Sequence, residues 1–222
     1  MSSWKTAALA LLLTVILAGC AAAPPPPVTA LNSRQCAAHA TDMAPRVLPF
    51  GAENAVTVEI DGNFPCRLDQ NGKPFVEIVF QLPEDKDPYL LRVMSLPRGE
   101  TMFSPRMMLT DSARRVTKDV GPDNFQIHGP SLSTIVRAQP TDRFLVIRSN
   151  DASVGNQQTH ISEQTSMSVM PAGNGFFIMT SGAEGHEIYT LAYNGRLRVS
   201  AEALPTSVPA AITGSSGSRP DP

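Results

Sequence analysis

Short segments that alternate apolar and polar residues constrain the fold of this 222-residue chain more than any other feature. Residues 75–82, for example, alternate Ile78 and Phe80 with Glu77 and Gln81. This period of two is typical of a strand with one face buried. No long amphipathic helical pattern lies between the alternating segments. The sequence therefore predicts an all-β fold, an antiparallel β-sandwich.

Nine further segments are predicted to be strands because β-branched or aromatic residues are enriched in them and turn residues bound them. They are Val56–Ile60, Tyr89–Leu96, 103–110, 132–138, 143–149, 167–170, 176–180, 187–193 and 196–200.

The same patterns predict how several strands are placed and connected. The nearly all-apolar run 144–147 is expected to be a central strand buried on both faces. The strand at 143–149 is expected to pair with the preceding strand at 132–138, through a turn at residues 139–142. Pro105 marks its own strand as bent or at an edge of the sheet. Asn194-Gly195 is expected to close a hairpin, and residues 150–164 are expected to form a polar loop.

The first twenty residues resemble the export signal of a bacterial lipoprotein. Lys5 precedes a short apolar run, residues 7–18, that falls below the ~20 residues needed to span a bilayer. Leu17-Ala18-Gly19-Cys20 then resembles a lipobox, in which the cysteine is lipidated and becomes the new N-terminus. An ordinary signal peptide with a chance cysteine is the alternative. Ala21 is not Asp, so resemblance to the lipoprotein sorting rule implies the outer membrane, with the domain facing the periplasm.

These features divide the chain into four parts. Residues 1–19 are interpreted as a signal peptide, and residues 20–30 as the lipidated cysteine with a proline-rich, extended linker. The β-sandwich domain is expected over 31–204, beginning with a short N-terminal helix at 35–41. Residues 205–222 are rich in Pro, Ser and Gly and predict a disordered tail.

Two cysteines remain once Cys20 is lipidated. In an oxidising compartment, Cys36 and Cys66 are expected to form one disulfide, and two free buried thiols are the alternative. Neither cysteine has metal-ligand spacing with a histidine. We therefore expect no metal and no cofactor.

Charge argues against nucleic acid as a partner. The formal net charge is −2, and there is no basic run. The pairs Arg114-Arg115 and Arg196/Arg198 are interpreted as solvated faces.

No residues are predicted to be catalytic. The chain contains no nucleophile-elbow motif and no glycine-rich phosphate loop. Glu84, Asp85 and Asp87 lie in a polar break and are interpreted as a solvated loop. We therefore expect a protein that is not an enzyme.

Four segments resemble the maltose-operon periplasmic protein family over about Phe80 to Asn156. They are Phe80-Gln81-Leu82-Pro83, Leu91-Arg92-Val93-Met94-Ser95, Met102-Phe103-Ser104-Pro105 running into Leu109-Thr110-Asp111, and Asp142-Arg143-Phe144-Leu145-Val146-Ile147. The resemblance implies an exported envelope protein linked to sugar uptake, and it supplies no catalytic residues. After Asn156 the chain has no counterpart to the family's proline-rich segment.

Two functions follow as hypotheses. The first is an interaction or assembly subunit of the cell envelope, with an envelope protein as partner, since exposed edge strands accept a strand from another chain. The second is a carbohydrate-binding accessory protein linked to maltose or maltodextrin uptake. Its oligosaccharide would stack on Tyr189 and Tyr193, which are four residues apart and share one face of a strand. Aromatic residues at a sandwich edge are the alternative reading of this pair.

The methionines fit either packing or recognition. We expect them to fill the core, with an adaptable contact surface as the alternative. They are Met94, Met102, Met107, Met108, Met167, Met170 and Met179.

Overall fold

The structure, a computed structural model, describes residues 23, 25–33, 35–36, 44–84, 87–172 and 175–205. Almost all of the regular structure in these residues is β-strand, with 3-10 turns at Ala52–Asn54 and Pro122–Asn124. The strands are β1 (Arg46–Val47), β2 (Val56–Ile60), β3 (Cys66–Leu68), β4 (Pro74–Gln81), β5 (Tyr89–Leu96), β6 (Thr101–Phe103), β7 (Pro105–Thr110), β8 (Val116–Val120), β9 (Gln126–His128), β10 (Ser131–Ala138), β11 (Phe144–Ser149), β12 (Gln157–Ala172), β13 (Gly175–Ala192) and β14 (Gly195–Glu202).

The strands form two large sheets and one smaller one. The six-stranded sheet has the order β1-β4-β11-β7-β8, with β3 also paired to β4. The five-stranded sheet has the order β2-β14-β5-β10-β9, and the three-stranded sheet has the order β12-β13-β6. Among the strands described, pairing is antiparallel except for β1 with β4 and β6 with β13. The predicted all-β sandwich is confirmed.

One hydrophobic core fills the space between the two large sheets. Alternation along β4 turns Ile78 and Phe80 inward, where they join Leu91 and Val93 from β5 of the opposite sheet. These four side chains are buried. Periodicity in the sequence therefore placed the core residues on the correct faces.

Strand β11 is central, as predicted, because it lies between β4 and β7. Leu145 and Ile147 face the core, and both are fully buried. Val146 between them faces the opposite side of the sheet and is only 8% exposed. Burial on both faces explains why this run is almost entirely apolar.

The predicted pairing of β10 with β11 is wrong. Strand β10 pairs with β5 and β9, whereas β11 lies in the other large sheet. The buried carboxylate of Asp142 fixes this crossing, since it accepts hydrogen bonds from the Gln139 N–H (2.8 Å) and the Thr117 hydroxyl (2.5 Å). The connection is thereby tied to β8 instead of closing a hairpin.

The predicted hairpin at Asn194-Gly195 is also wrong. Strand β13 pairs with β12 and β6, and β14 pairs with β2 and β5, so the chain changes sheets here. Gly195 has a φ of 150°, and a Cβ at this position would lie 2.4 Å from the Phe103 backbone nitrogen. Glycine is needed for this close approach, which explains a turn-like sequence in the absence of a hairpin.

The segment 103–110 divides at Ser104 into β6 and β7, which belong to different sheets. Pro105 is the first residue of β7, where a missing N–H is tolerated. Of the two alternatives predicted for Pro105, the chain does break at this point, whereas an edge strand is not found because β7 lies between β11 and β8.

The expected polar loop over 150–164 is wrong from Gln157 onward, where β12 begins. The short strands predicted at 167–170, 176–180 and 187–193 are parts of the long strands β12 and β13. Residues 157–160 are all polar, so the first part of β12 has no apolar alternation to mark it as a strand.

Several predictions concern residues that the structure does not describe. The signal peptide, Cys20 and most of the tail at 205–222 lie outside the described residues, as do residues 37–41 of the expected helix. What is described of that helix is a turn, in which the Asn32 carbonyl accepts hydrogen bonds from the N–H groups of Gln35 (2.9 Å) and Cys36 (3.3 Å).

The predicted disulfide between Cys36 and Cys66 is present, with a Cα–Cα distance of 4.7 Å. Cys66 is the first residue of β3, which pairs with β4. The bond therefore joins the N-terminal segment to an edge of the six-stranded sheet.

Candidate functional site

A long two-stranded hairpin, formed by β12 and β13 and here called the arm, extends from the sandwich. The two strands pair continuously from Gln157 with Thr190 to Ala172 with Gly175. Strand β6 pairs only with Thr190–Ala192 at the base of the arm. Beyond that base the paired strands run for roughly 45 Å at about 3.3 Å per residue, with no third strand beside them in the described chain.

Exposed apolar side chains lie on both faces of the arm, with Met170 and Met179 on one face and a larger set on the other. Odd-numbered residues of β12 share this face with the β13 residues directly opposite them, as the pairing of Val169 with Ile178 shows. Each of these side chains is more than half exposed. They are Ile161 (55%), Met167 (73%), Val169 (62%), Ile178 (56%) and Ile188 (52%). Met167, Val169 and Ile178 lie together toward the tip of the arm, and Ile161 and Ile188 lie nearer its base. Exposed apolar side chains grouped in this way mark a site of interaction.

The arm has few of the features that usually keep a strand edge from pairing with another chain, namely Pro171 near its tip and three glutamates. Strand β12 has β13 on one side and no described strand on the other, and β13 is unpaired on its outer side before Thr190. Natural edges are commonly protected by lysine or inward charges. The segment 157–192 contains no Lys or Arg, and 165–183 contains no charged residue. The arm can therefore accept a further strand at either edge.

Tyr189 and Tyr193 do not form the predicted sugar platform. Each side chain is only 8% exposed, so neither ring offers a face to solvent. The Tyr189 hydroxyl donates a hydrogen bond to Glu187, and that of Tyr193 donates to Asp151 Oδ1 at 3.0 Å. The reason is position: both tyrosines lie at the base of the arm, where the third sheet meets the sandwich.

Burial raises the pKa of both tyrosine hydroxyls. Burial, together with the hydrogen bond to Glu187, raises the pKa of Tyr189 to about 12. Burial and the hydrogen bond to Asp151 raise the pKa of Tyr193 to about 12. Both side chains therefore act as neutral structural donors that hold the base of the arm.

The base of the arm also binds the segment that precedes the domain. The Asn194 side chain is buried; its Oδ1 accepts from the Val28 N–H at 2.7 Å and its Nδ2 donates to the Pro26 carbonyl at 3.0 Å. The Tyr193 N–H donates to the Val28 carbonyl at 2.8 Å. Packing contacts of the domain thus reach residues 26–28, within the predicted linker. Only the Asn-Gly turn signal marked Asn194 in the sequence, and it gave no sign of this role.

The structure describes two of the three acidic residues in the polar break. Glu84 and Asp87 are exposed, and Asp85 lies outside the described residues. In the part of the chain that the structure describes, no group of three or more His, Cys, Asp or Glu residues could hold a metal ion. No helix among those residues is long and apolar enough to cross a membrane.

The four arginines that were predicted to lie on solvated faces differ in their contacts. Arg115 pairs with Asp111 at 2.8 Å, and Arg196 pairs with Glu59. Arg198 is exposed on β14. Arg114 instead lies over an aromatic ring, a contact that the sequence did not predict.

Comparison with known proteins adds no family. The chain matches no protein-family model and no curated protein. A solved structure, the pre-peptidase C-terminal domain of collagenase from Bacillus anthracis, is similar over 73% of this chain and 99% of its own, with a TM-score of 0.35 and 8% sequence identity. A likeness at this TM-score carries no argument about function.

Proposed function

We propose that this chain is an outer-membrane-anchored periplasmic lipoprotein that acts as a non-enzymatic interaction or assembly subunit of the cell envelope. The arm is the observation that carries the proposal. It presents Val169, Ile178 and three further exposed apolar residues on one face, and its edges are open to a strand from another protein.

The chemistry of the arm favours a protein partner with an apolar surface. Covering one large exposed apolar side chain contributes about 1.5–3 kcal/mol. Because residues 165–183 carry no charge, burying them against a partner involves no loss of charge hydration. Added main-chain hydrogen bonds at an edge would give the contact a defined register.

The N-terminal contacts support anchoring close to the membrane. If Cys20 is the lipidated residue, it lies six positions before Pro26, which is hydrogen bonded to Asn194. A fully extended chain spans at most about 3.5 Å per residue, so the tether reaches about 20 Å. The base of the arm would therefore be held within that distance of the bilayer.

The resemblance to the maltose-operon periplasmic protein family, over about Phe80 to Asn156, supports an envelope role. It also suggested the carbohydrate alternative, for which Tyr189 and Tyr193 were the candidate site. Because both rings are buried, no described aromatic platform supports that alternative. We therefore propose the interaction role alone.

Anchoring is tested by replacing the acceptor thiol. In cells that express the full chain, Cys20→Ala is expected to remove the protein from the membrane fraction, whereas Cys36→Ala is expected to leave it there. A Cys20→Ala chain that stays in the membrane fraction as completely as the unaltered chain would contradict lipid anchoring at this residue.

Docking through the arm is tested by site-specific photo-crosslinking in intact cells. A photoreactive residue at Val169 or Ile178 is expected to capture the same envelope protein. Ile135 on β10 is the matched control, because it is 49% exposed but lies on the sandwich. Equal crosslinking of that protein from Ile135, or no adduct from either arm position, would overturn the role assigned to the arm.

A further inference from the structure

The outward face of the six-stranded sheet carries a groove of about 410 Å³ that the proposed function does not use. It runs across β4, β11 and β7, on the side of the sheet that faces away from the core. Its floor is apolar, and arginine side chains border it at both ends.

Three apolar residues in register form the floor. Val146 on β11 lies directly between Val79 on β4 and Met108 on β7. Their neighbours Leu145 and Ile147 belong to the core, so these three side chains belong to the opposite face. No strand of the second sheet packs against this face, yet Val146 is only 8% exposed because the bordering side chains shield it.

At one end of the groove, two guanidinium groups share a single carboxylate. Glu77 is buried, and it accepts hydrogen bonds from Arg67 and from Arg148 Nε, the latter at 2.6 Å. The Arg148 guanidinium also lies 4.9 Å from the centre of the Phe75 ring. Two positive charges against one negative charge leave this end cationic.

At the other end, Arg114 holds an unusual position. Its φ is 62°, the only positive φ among the described residues other than glycine. Its guanidinium lies 3.6 Å from the centre of the Phe144 ring, while the nearby carboxylate of Asp111 pairs with Arg115. In the described part of the chain, Arg114 has no ion-pair partner. Arg114 is exposed in the turn between β7 and β8, so its guanidinium is open to an anionic ligand at this end of the groove.

A buried hydroxyl at the same end has no partner. Thr110 pairs in register with Phe144 and lines the groove. Its Oγ1 is the one buried side-chain N or O atom among the described residues without a hydrogen bond. Buried polar atoms are nearly always satisfied, so a group that reaches this hydroxyl would gain a bond that the free protein lacks.

We propose that this groove binds a small organic carboxylate with an apolar body. The carboxylate lies against Arg114 and the Thr110 hydroxyl, and the apolar body covers Val146 and Met108. The excess of positive charge at both ends selects an anion over a cation. The apolar floor selects a ligand with a hydrocarbon part over an inorganic ion. Glu77 and Phe144 are four register positions apart on neighbouring strands, which limits the body to a length of roughly 13 Å.

The test is methyl NMR of the full chain in nonionic detergent, with carbon-13 in the methionine methyl groups and hexanoate as the probe. The Met108 methyl is expected to shift saturably with hexanoate and not with hexylammonium. The exposed arm residues Met167, Met170 and Met179 act as internal controls. A Met108 methyl that does not move, or that moves equally with hexylammonium, would overturn the proposal.

Two substitutions distinguish the role of Arg114 in binding from that of the adjacent Arg115. Arg114→Gln is expected to weaken hexanoate binding by about tenfold, because a charge-assisted hydrogen bond is lost. Arg115→Gln is the matched control and is expected to leave the affinity unchanged. Equal affinity for the unaltered chain and Arg114→Gln would overturn the assignment.

A second variant distinguishes a loss of ligand binding from a loss of folding. Thr110→Val removes the unpartnered hydroxyl at nearly constant shape, so the free protein is expected to become more stable while hexanoate binds about fivefold more weakly. A variant that is more stable and binds hexanoate as tightly as the unaltered chain would show that the hydroxyl does not contact the ligand.

Discussion

The Val28 N–H donates a hydrogen bond of 2.7 Å to Asn194 Oδ1, across 166 residues of sequence. The same side chain donates to the Pro26 carbonyl, so one buried asparagine holds the start of the domain against the junction between the arm and the sandwich. Under the proposed anchoring at Cys20, the lipid and the arm would share one end of the molecule. Orientation at the membrane would then follow from the fold.

Asn194→Ala is expected to lower the free energy of unfolding by about 1–3 kcal/mol, because it leaves the Val28 N–H without its acceptor. Urea unfolding measures the loss, and limited proteolysis is expected to cut near residues 26–28 more rapidly. Asn63→Ala is the control, since Asn63 is exposed and should change stability by less than about 0.5 kcal/mol. An Asn194→Ala chain as stable as this control would contradict the role of the side chain.

Loss of the Cys36–Cys66 bond is expected to lower stability by about 3–4 kcal/mol, because the bond closes a loop of 30 residues in the unfolded chain. Urea midpoints with and without reductant measure the effect. In a Cys36→Ala/Cys66→Ala double variant, reductant should have no further effect. A reductant effect of the same size in that variant would show that it acts elsewhere.

The sequence predicted strands well where one face is buried. Strands β2 and β5 have the predicted bounds, since β-branched residues, alternation and flanking turn residues all agreed. Strands β1, β3, β8 and β9 were missed. Strand β8 is nearly all exposed, and the others are two or three residues long, so neither alternation nor length marked them.

Pairing and sites were harder to predict because they depend on contacts distant in sequence. Neighbouring β10 and β11 lie in different sheets, and Asp142 between them is bonded to β8, a contact that no local pattern contains. Tyr189 lies in β13, but Tyr193 follows its last residue, and the two rings pack in different hydrophobic clusters, which a spacing of four residues does not reveal. The contact of Arg114 with Phe144 likewise joins two residues that are 30 positions apart in the sequence.

Stability is expected to fall at alkaline pH through the two buried phenols. Their pKa of about 12 in the folded chain exceeds the ordinary value of 10.0. Neutral Tyr189 and Tyr193 therefore contribute stability that is fully present below about pH 10 and is lost as pH rises through about 12. Urea midpoints across this range measure the loss. Tyr193→Phe is expected to make the decline shallower, and an unchanged slope would contradict the account.

Backbone strain at Arg114 predicts an ordering of two variants. Arg114→Gly and Arg114→Ala both remove the guanidinium from the Phe144 ring, but only glycine adopts a φ of 62° without a steric penalty. The glycine variant is expected to be more stable than the alanine variant by about 1 kcal/mol in chemical denaturation. Equal stability, or greater stability of the alanine variant, would contradict a strained left-handed conformation here.

Changing the apolar face of the arm tests the central proposal most directly. The measurement is the yield of the envelope-protein adduct from a photoreactive residue at Ile161, in intact cells that express Val169→Glu/Ile178→Glu or the control Ile135→Glu. The proposal predicts a fall of about tenfold or more for the arm variant, because both substitutions place charge in a contact that buries apolar surface, and no change for the control. Unaltered adduct yield from the arm variant, with its unfolding midpoint also unchanged, would contradict docking through this face.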